Sequence, residues 1–198
     1  MRALLLLGDS IRLGYQAAVV AALSDWSVSG PEENCRSIRD LAAGLDRWAF
    51  DGLAAPTFVH VNAGLHDLRR SEETDWEPLV PPDEYRMHLR AVLGRLSQHP
   101  RIGPQRVIVA TTTPVDTARH NVAKSSHRHQ EDVVTYNGAL MAEARRLGVR
   151  VNDLGGAVLA ARQDPLSADG VHLTDMGYRR LGALVADAVL EAAAMFRS

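Results

Sequence analysis

The stretch Ala3-Leu4-Leu5-Leu6-Leu7-Gly8-Asp9-Ser10-Ile11 decides how the rest of the chain is read. A short unbroken apolar run stops at a glycine, and the next apolar residues, Leu13, Ala17 and Val20, recur at helical spacing. A buried strand followed at once by a helix is the opening unit of a parallel sheet. Ser10 then falls on the strand-to-helix turn, for which Gly8 permits the tight backbone. Such a turn exposes a hydroxyl at the carboxyl edge of the sheet and aims the first N–H groups of the helix at the same point, where negative charge is stabilised. Asp-Ser before a helix is also an ordinary N-cap, so the turn alone does not establish chemistry.

The same alternation continues outward. Further strands are expected at Trp26 to Ser29, Thr57 to Asn62, Arg106 to Thr112 and Val149 to Asp153. Between them, Tyr85, Leu89, Val92, Leu93 and Leu96 share a helical face, as do Val133, Tyr136, Leu140, Ala144 and Leu147. Leu181, Leu184, Val185, Ala188, Val189 and Ala192 predict a closing helix up to about Met195. The expected fold class is α/β with a mostly parallel five-stranded sheet in a flavodoxin-like order. Two polar stretches, Arg69 to Pro82 and Pro114 to His129, have no assigned element. They follow the third and fourth strands, so both are expected to border a site at the carboxyl ends of the strands, and their length and polarity suggest mobility.

Composition narrows the function classes. With 198 residues, 46% hydrophobic and 23% charged, the chain is expected to be one domain spanning 1–198. A net charge of −2, with Lys124 the one lysine, gives no broad attraction to nucleic acid or anionic membranes. Cys35 stands alone, so neither an intramolecular disulfide nor a cysteine zinc site is available. The apolar run Leu4 to Leu7 is too short for a signal peptide core and no stretch is long enough to span a membrane, so a soluble, cytoplasmic protein is expected.

Near the other end, Ser167-Ala168-Asp169-Gly170-Val171-His172-Leu173-Thr174 precedes the closing helix. Three residues on a tight turn let the Asp169 carboxylate accept the Nδ1 proton of His172, fixing the tautomer whose Nε2 takes a proton from a serine. The alternative is a turn capped by Asp169 beside a partly buried His172.

Together these segments resemble the SGNH hydrolases, also called the GDSL esterase and lipase family. Gly8-Asp9-Ser10 is similar to the first block, Asp169-Gly170-Val171-His172 to the last, D-x-x-H, and Gly64-Leu65-His66-Asp67 to the third, usually G-x-N-D. The resemblance spans residues 3 to 195, and the absence of G-x-S-x-G separates the chain from ordinary α/β-hydrolases. It implies a three-layer αβα fold and a catalytic triad of Ser10, Asp169 and His172. It also implies an oxyanion hole formed by the N–H groups of Ser10 and Arg36 and by His66, which stands where the family usually has Asn. Arg36 occupies the position of the second-block Gly, with Gly44 the fallback. Asn34 is a substrate contact or a helix cap, and Asp9 is a further candidate substrate contact.

Neither cofactor nor metal is implied, and the loop around His120, His127 and His129 lacks ligand spacing and is read as solvated. Asp67 is read as holding its loop, and Trp76 and Tyr85 as packing or as an apolar wall. The resulting expectation is a serine esterase acting on short-chain, chiefly acetyl, esters of a small molecule or carbohydrate. An acyltransferase or thioesterase with the same triad is the alternative, and His66 and Arg36 keep open a noncatalytic binding module.

Overall fold

Strands β1 (Arg2–Gly8), β2 (Trp26–Ser29), β3 (Thr57–Asn62), β4 (Val107–Ala110) and β5 (Arg150–Asn152) form one sheet in the order β2-β1-β3-β4-β5, each neighbouring pair parallel. The computed structural model describes residues 2–53, 55 and 57–196. The flavodoxin-like order is the expected one. The last two strands are shorter than the sequence predicts because neighbouring elements claim their ends. Thr112 donates its N–H to Asn137 Oδ1 at 2.7 Å rather than to the sheet. The Val149 N–H closes a helix on Ala144 O at 2.9 Å, and Asp153 caps the helix that follows β5.

The helices are α1 (Ser10–Ala22), α2 (Ile38–Leu45), α3 (Pro82–Gln98), α4 (Thr117–Ala123), α5 (Gln130–Leu147), α6 (Leu154–Leu159) and α7 (Asp175–Ala194). α1 packs on α7, while α2, α3 and α5 pack in sequence on one another. Right-handed crossovers explain the two layers: the chain moves one way from β1 to β2 and the other way from β2 onward, so the helices divide between the faces. The expected apolar faces of α3, α5 and α7 are buried, except that Leu147, Leu184 and Ala188 lie at the edge of the core. Among the described residues no helix is long and apolar enough to cross a membrane.

The reversal of strand order occurs at β1, and there the core turns polar. In β3, buried along its whole length, His60 and Asn62 point into a hydrogen-bonded chain. Asn62 donates to Asp9 Oδ1 at 2.7 Å and accepts the Tyr15 hydroxyl at 2.8 Å. Tyr15 Oη is 3.2 Å from His60 Nδ1, and Asn152 Nδ2 is 3.2 Å from His60 Nε2. A single neutral tautomer, protonated on Nδ1, satisfies both contacts. Burial lowers the His60 pKa to about 3, which keeps that ring neutral.

Candidate active site

Ser10 is the first residue of α1, and Asp9 caps the helix by accepting the Ile11 N–H at 3.0 Å. Gly8 has φ +156°, and a Cβ there would lie 2.5 Å from Asn62 Oδ1, so β1 approaches β3 more closely than any side chain allows. Asp9 is 1% exposed, and the same Oδ1 takes the Asn62 amide. The expectation that Asp9 contacts substrate is therefore corrected: it anchors the turn that presents Ser10. Burial pushes its pKa up, against the bonds from Ile11 and Asn62 that favour its charge.

The Ser10 hydroxyl lies 2.9 Å from His172 Nε2, across 162 residues of sequence. His172 Nδ1 lies 2.6 Å from Asp169 Oδ2. Asp169 Oδ1 accepts the Ser167 hydroxyl and the N–H groups of Val171 and His172 at 2.8, 3.0 and 2.9 Å. Burial opposes the charge on Asp169, but the His172 ring and these three donors outweigh it and hold the carboxyl well below its ordinary range. With Asp169 charged, Nδ1 carries the proton and Nε2 presents a lone pair to the hydroxyl. The pair closes a small turn, braced by Ser167 N–H on His172 O at 2.7 Å and by Asp116 N–H on Gly170 O at 2.8 Å.

The β2–α2 connection reaches the same edge. Arg12, fully buried in α1, holds it through Pro31 O at 2.8 Å and Glu33 O at 2.7 Å, and the Cys35 N–H donates to Gly8 O at 3.0 Å. Arg36 adopts φ +54°, the left-handed region that a glycine would enter without strain. Its N–H donates to Asn34 Oδ1 at 2.7 Å. The Arg36 N–H, expected from the sequence as an oxyanion donor, is thus engaged within its own turn in the free protein. Asn34 closes this turn, and the cap of α2 is Ser37, in a reciprocal box with Asp40. Gly44, the fallback donor, lies within α2.

His66 sits in the turn after β3, half-buried, with Leu68 N–H on Gly64 O at 3.0 Å. Gly64 lies against Thr112, where a Cβ would be 2.1 Å from the hydroxyl oxygen. Burial, then the charges of Arg128 and Arg69, lower the His66 pKa to about 4. The ring is therefore neutral at pH 7 and offers a neutral N–H. Asp67 holds the loop by accepting the Ile38 N–H at 2.9 Å, and burial raises its pKa to about 8.

The two unassigned stretches are joined to each other and to the site. Arg70 and His127 exchange backbone hydrogen bonds at 2.9 and 2.8 Å, and residues 117–123 form α4. His120, read from sequence as solvated, is 3% exposed. Its Nδ1–H donates to Asp169 O at 2.9 Å, while Arg128 donates to its Nε2 at 2.8 Å and to Leu65 O at 2.8 Å. Arg128 thus braces the His66 turn against the Asp169 turn. Neither Arg12 nor Arg128 is signalled by sequence, since their partners are carbonyls and rings made adjacent by folding. Among the described residues no group of three His, Cys, Asp or Glu could hold a metal ion. Tyr85 is packing, fully buried with its hydroxyl on Ala63 O at 3.1 Å, whereas Trp76 is 46% exposed against the ring of His127.

Ser10, His66 and the Asp169–His172 pair thus lie on loops that follow β1, β3 and α6 at one sheet edge, in the chain order of the resemblance. The profile of the GDSL-like lipase/acylhydrolase family matches residues 6–180. The chain belongs to this family. It is accordingly an ester hydrolase of SGNH type. A solved lipase/acylhydrolase from Enterococcus faecalis is 21% identical, with TM-score 0.76 over 96% of this chain and 95% of that one. The acetyl xylan esterase AlAXEase is 19% identical, with TM-score 0.72 over 94% and 99% of the two chains. Est24, a carbohydrate acetylesterase from Sinorhizobium meliloti, is 16% identical, with TM-score 0.68 over 96% and 99%. At these identities the likeness is one of fold. A search of curated proteins found no match.

Proposed function

We propose that this GDSL-family enzyme is a single-domain serine esterase that removes short acyl groups, chiefly acetyl, from a small molecule or carbohydrate. The observation that carries the reading is the continuous chain from Ser10 Oγ through the His172 ring to Asp169. Ser10 attacks the ester carbonyl as His172 Nε2 takes its proton, and the charged Asp169 stabilises the imidazolium. The Ser10 N–H and the neutral His66 ring donate to the tetrahedral oxyanion, and the Arg36 N–H joins them on leaving Asn34. His172 then returns its proton to the departing alcohol and activates the water that releases the acid.

One further observation supports the acetyl group and the sugar. Two of the structural neighbours carry names that specify acetyl xylan or carbohydrate acetyl esters. The test is hydrolysis of p-nitrophenyl acetate, butyrate and octanoate by wild type and Ser10→Ala prepared side by side. The proposal requires turnover that declines with chain length and falls by more than about 10³-fold in Ser10→Ala. Turnover unchanged in Ser10→Ala would overturn it.

A further inference from the structure

Two guanidinium groups stand beside this site with no closely paired carboxylate among the described residues. Arg128 is half-buried, and its bonds to Leu65 O and His120 Nε2 fix the plane of its head group. Its Nη2 amino group has no partner among the described residues. Arg69, on the same turn as His66, has a buried Nε with no partner. Its ion-pair partner Glu73 stands at 4.0 Å on a side chain that is 84% exposed, out toward solvent.

The acids that face these cations are committed elsewhere. Asp9 holds Ile11 and Asn62, and Asp169 holds the 167–172 turn and His172. Burial and the nearby Arg69 lower the Arg128 pKa to about 10, the mark of a cation short of compensation. Partly desolvated like charges are costly unless an anion completes them, and the outer Nη groups of a guanidinium match a carboxylate with two parallel hydrogen bonds.

We propose that Arg128 and Arg69 form an anion subsite beside His66, and that the ester hydrolysed here carries a carboxylate on its alcohol or its acyl part. The inference rests on the esterase reading above and adds a substrate class to it. A carboxylate held there lies next to both the oxyanion donor and the Asp169 turn, so its binding orients the ester carbonyl toward Ser10.

Two matched substrate pairs test this. The pair 4-acetoxybenzoate and phenyl acetate places the charge on the alcohol side, and monoethyl succinate and ethyl butyrate place it on the acyl side. For each pair the ratio of kcat/KM, charged over neutral, is measured in wild type, Arg69→Gln, Arg128→Gln and Ser10→Ala. The ratio cancels losses common to both substrates, including any from a weakened Arg128 brace. The proposal expects the ratio in at least one pair to fall about 10- to 100-fold in Arg69→Gln and in Arg128→Gln, the value of a charge-assisted hydrogen bond. Ser10-dependent hydrolysis with ratios unchanged in both variants would overturn the subsite and leave the esterase standing. Rates unchanged in Ser10→Ala would overturn the esterase, and the subsite with it.

Discussion

The Asp169–His172 turn and the Arg36–His66 side of the same cleft are built on opposite plans. On the first, both carboxylate oxygens and both ring nitrogens have partners, from Ser167 through to the Ser10 hydroxyl. On the second, the Arg36 N–H is held by Asn34, a non-glycine residue occupies a left-handed backbone, and cations crowd a neutral ring. Proton-transfer groups gain from being aligned before substrate arrives, because their partners are internal. On the proposed mechanism the groups that receive negative charge have their proper partner only when substrate is bound, so in the free protein they are engaged elsewhere or uncompensated.

The comparison breaks most severely if Asp169 is altered. Asp169→Asn keeps the shape of the turn but removes the charge that fixes the His172 tautomer, and kcat on p-nitrophenyl acetate should fall by about 10⁴-fold. A drop under tenfold would mean that the well-bonded side is structural only. On the other side, His66→Ala should cost about 10²- to 10³-fold in kcat with a smaller change in KM, and His66→Asn should recover much of it by restoring an N–H donor. Equal activity in His66→Ala would remove the ring from the oxyanion hole.

Stability probes separate the core beneath the two sides. His60 stays neutral in the folded protein down to about pH 3, whereas the unfolded chain protonates it near 6.5. Between those values the unfolded state binds the extra proton, so the stability His60 supports is complete above pH 6.5 and is lost as pH falls. The loss amounts to about 2 kcal/mol at pH 5. In His60→Gln the difference in urea-unfolding free energy between pH 7.5 and pH 5 should shrink by about that amount; an unchanged difference would show that the ring is already charged or hydrated. The smallest effect belongs to Arg36→Gly, which relieves the left-handed backbone and should raise unfolding free energy by up to about 1 kcal/mol. Destabilisation there would show that the Arg36 side chain contributes more than its backbone costs.

What the sequence made legible follows from range. Strands and helical faces come from local periodicity, and β1, β2 and β3 stand close to their expected bounds. Ser10, Asp169 and His172 could be singled out because the short blocks around them occur together and in the family's order, although neither turn establishes chemistry alone. The partners that hold them were not. Asn62 and His60 look like ordinary strand residues until Tyr15, Asp9 and Asn152 close around them. α4 has too little apolar pattern to be read as a helix, and its buried His120 takes its meaning from Arg128 and Asp169. The engagement of the Arg36 N–H has a local cause not weighed in the sequence, a turn residue two positions back that competes for it.

The central claim is that Ser10 is a nucleophile activated by His172, and it is tested most directly by covalent labelling. Wild type, Ser10→Ala and His172→Ala would be treated with a fluorophosphonate at neutral pH and the modified peptide located by mass spectrometry. The account predicts one adduct, on Ser10, absent from Ser10→Ala and formed far more slowly in His172→Ala. An adduct on another residue, or labelling of Ser10 at the same rate without His172, would contradict it.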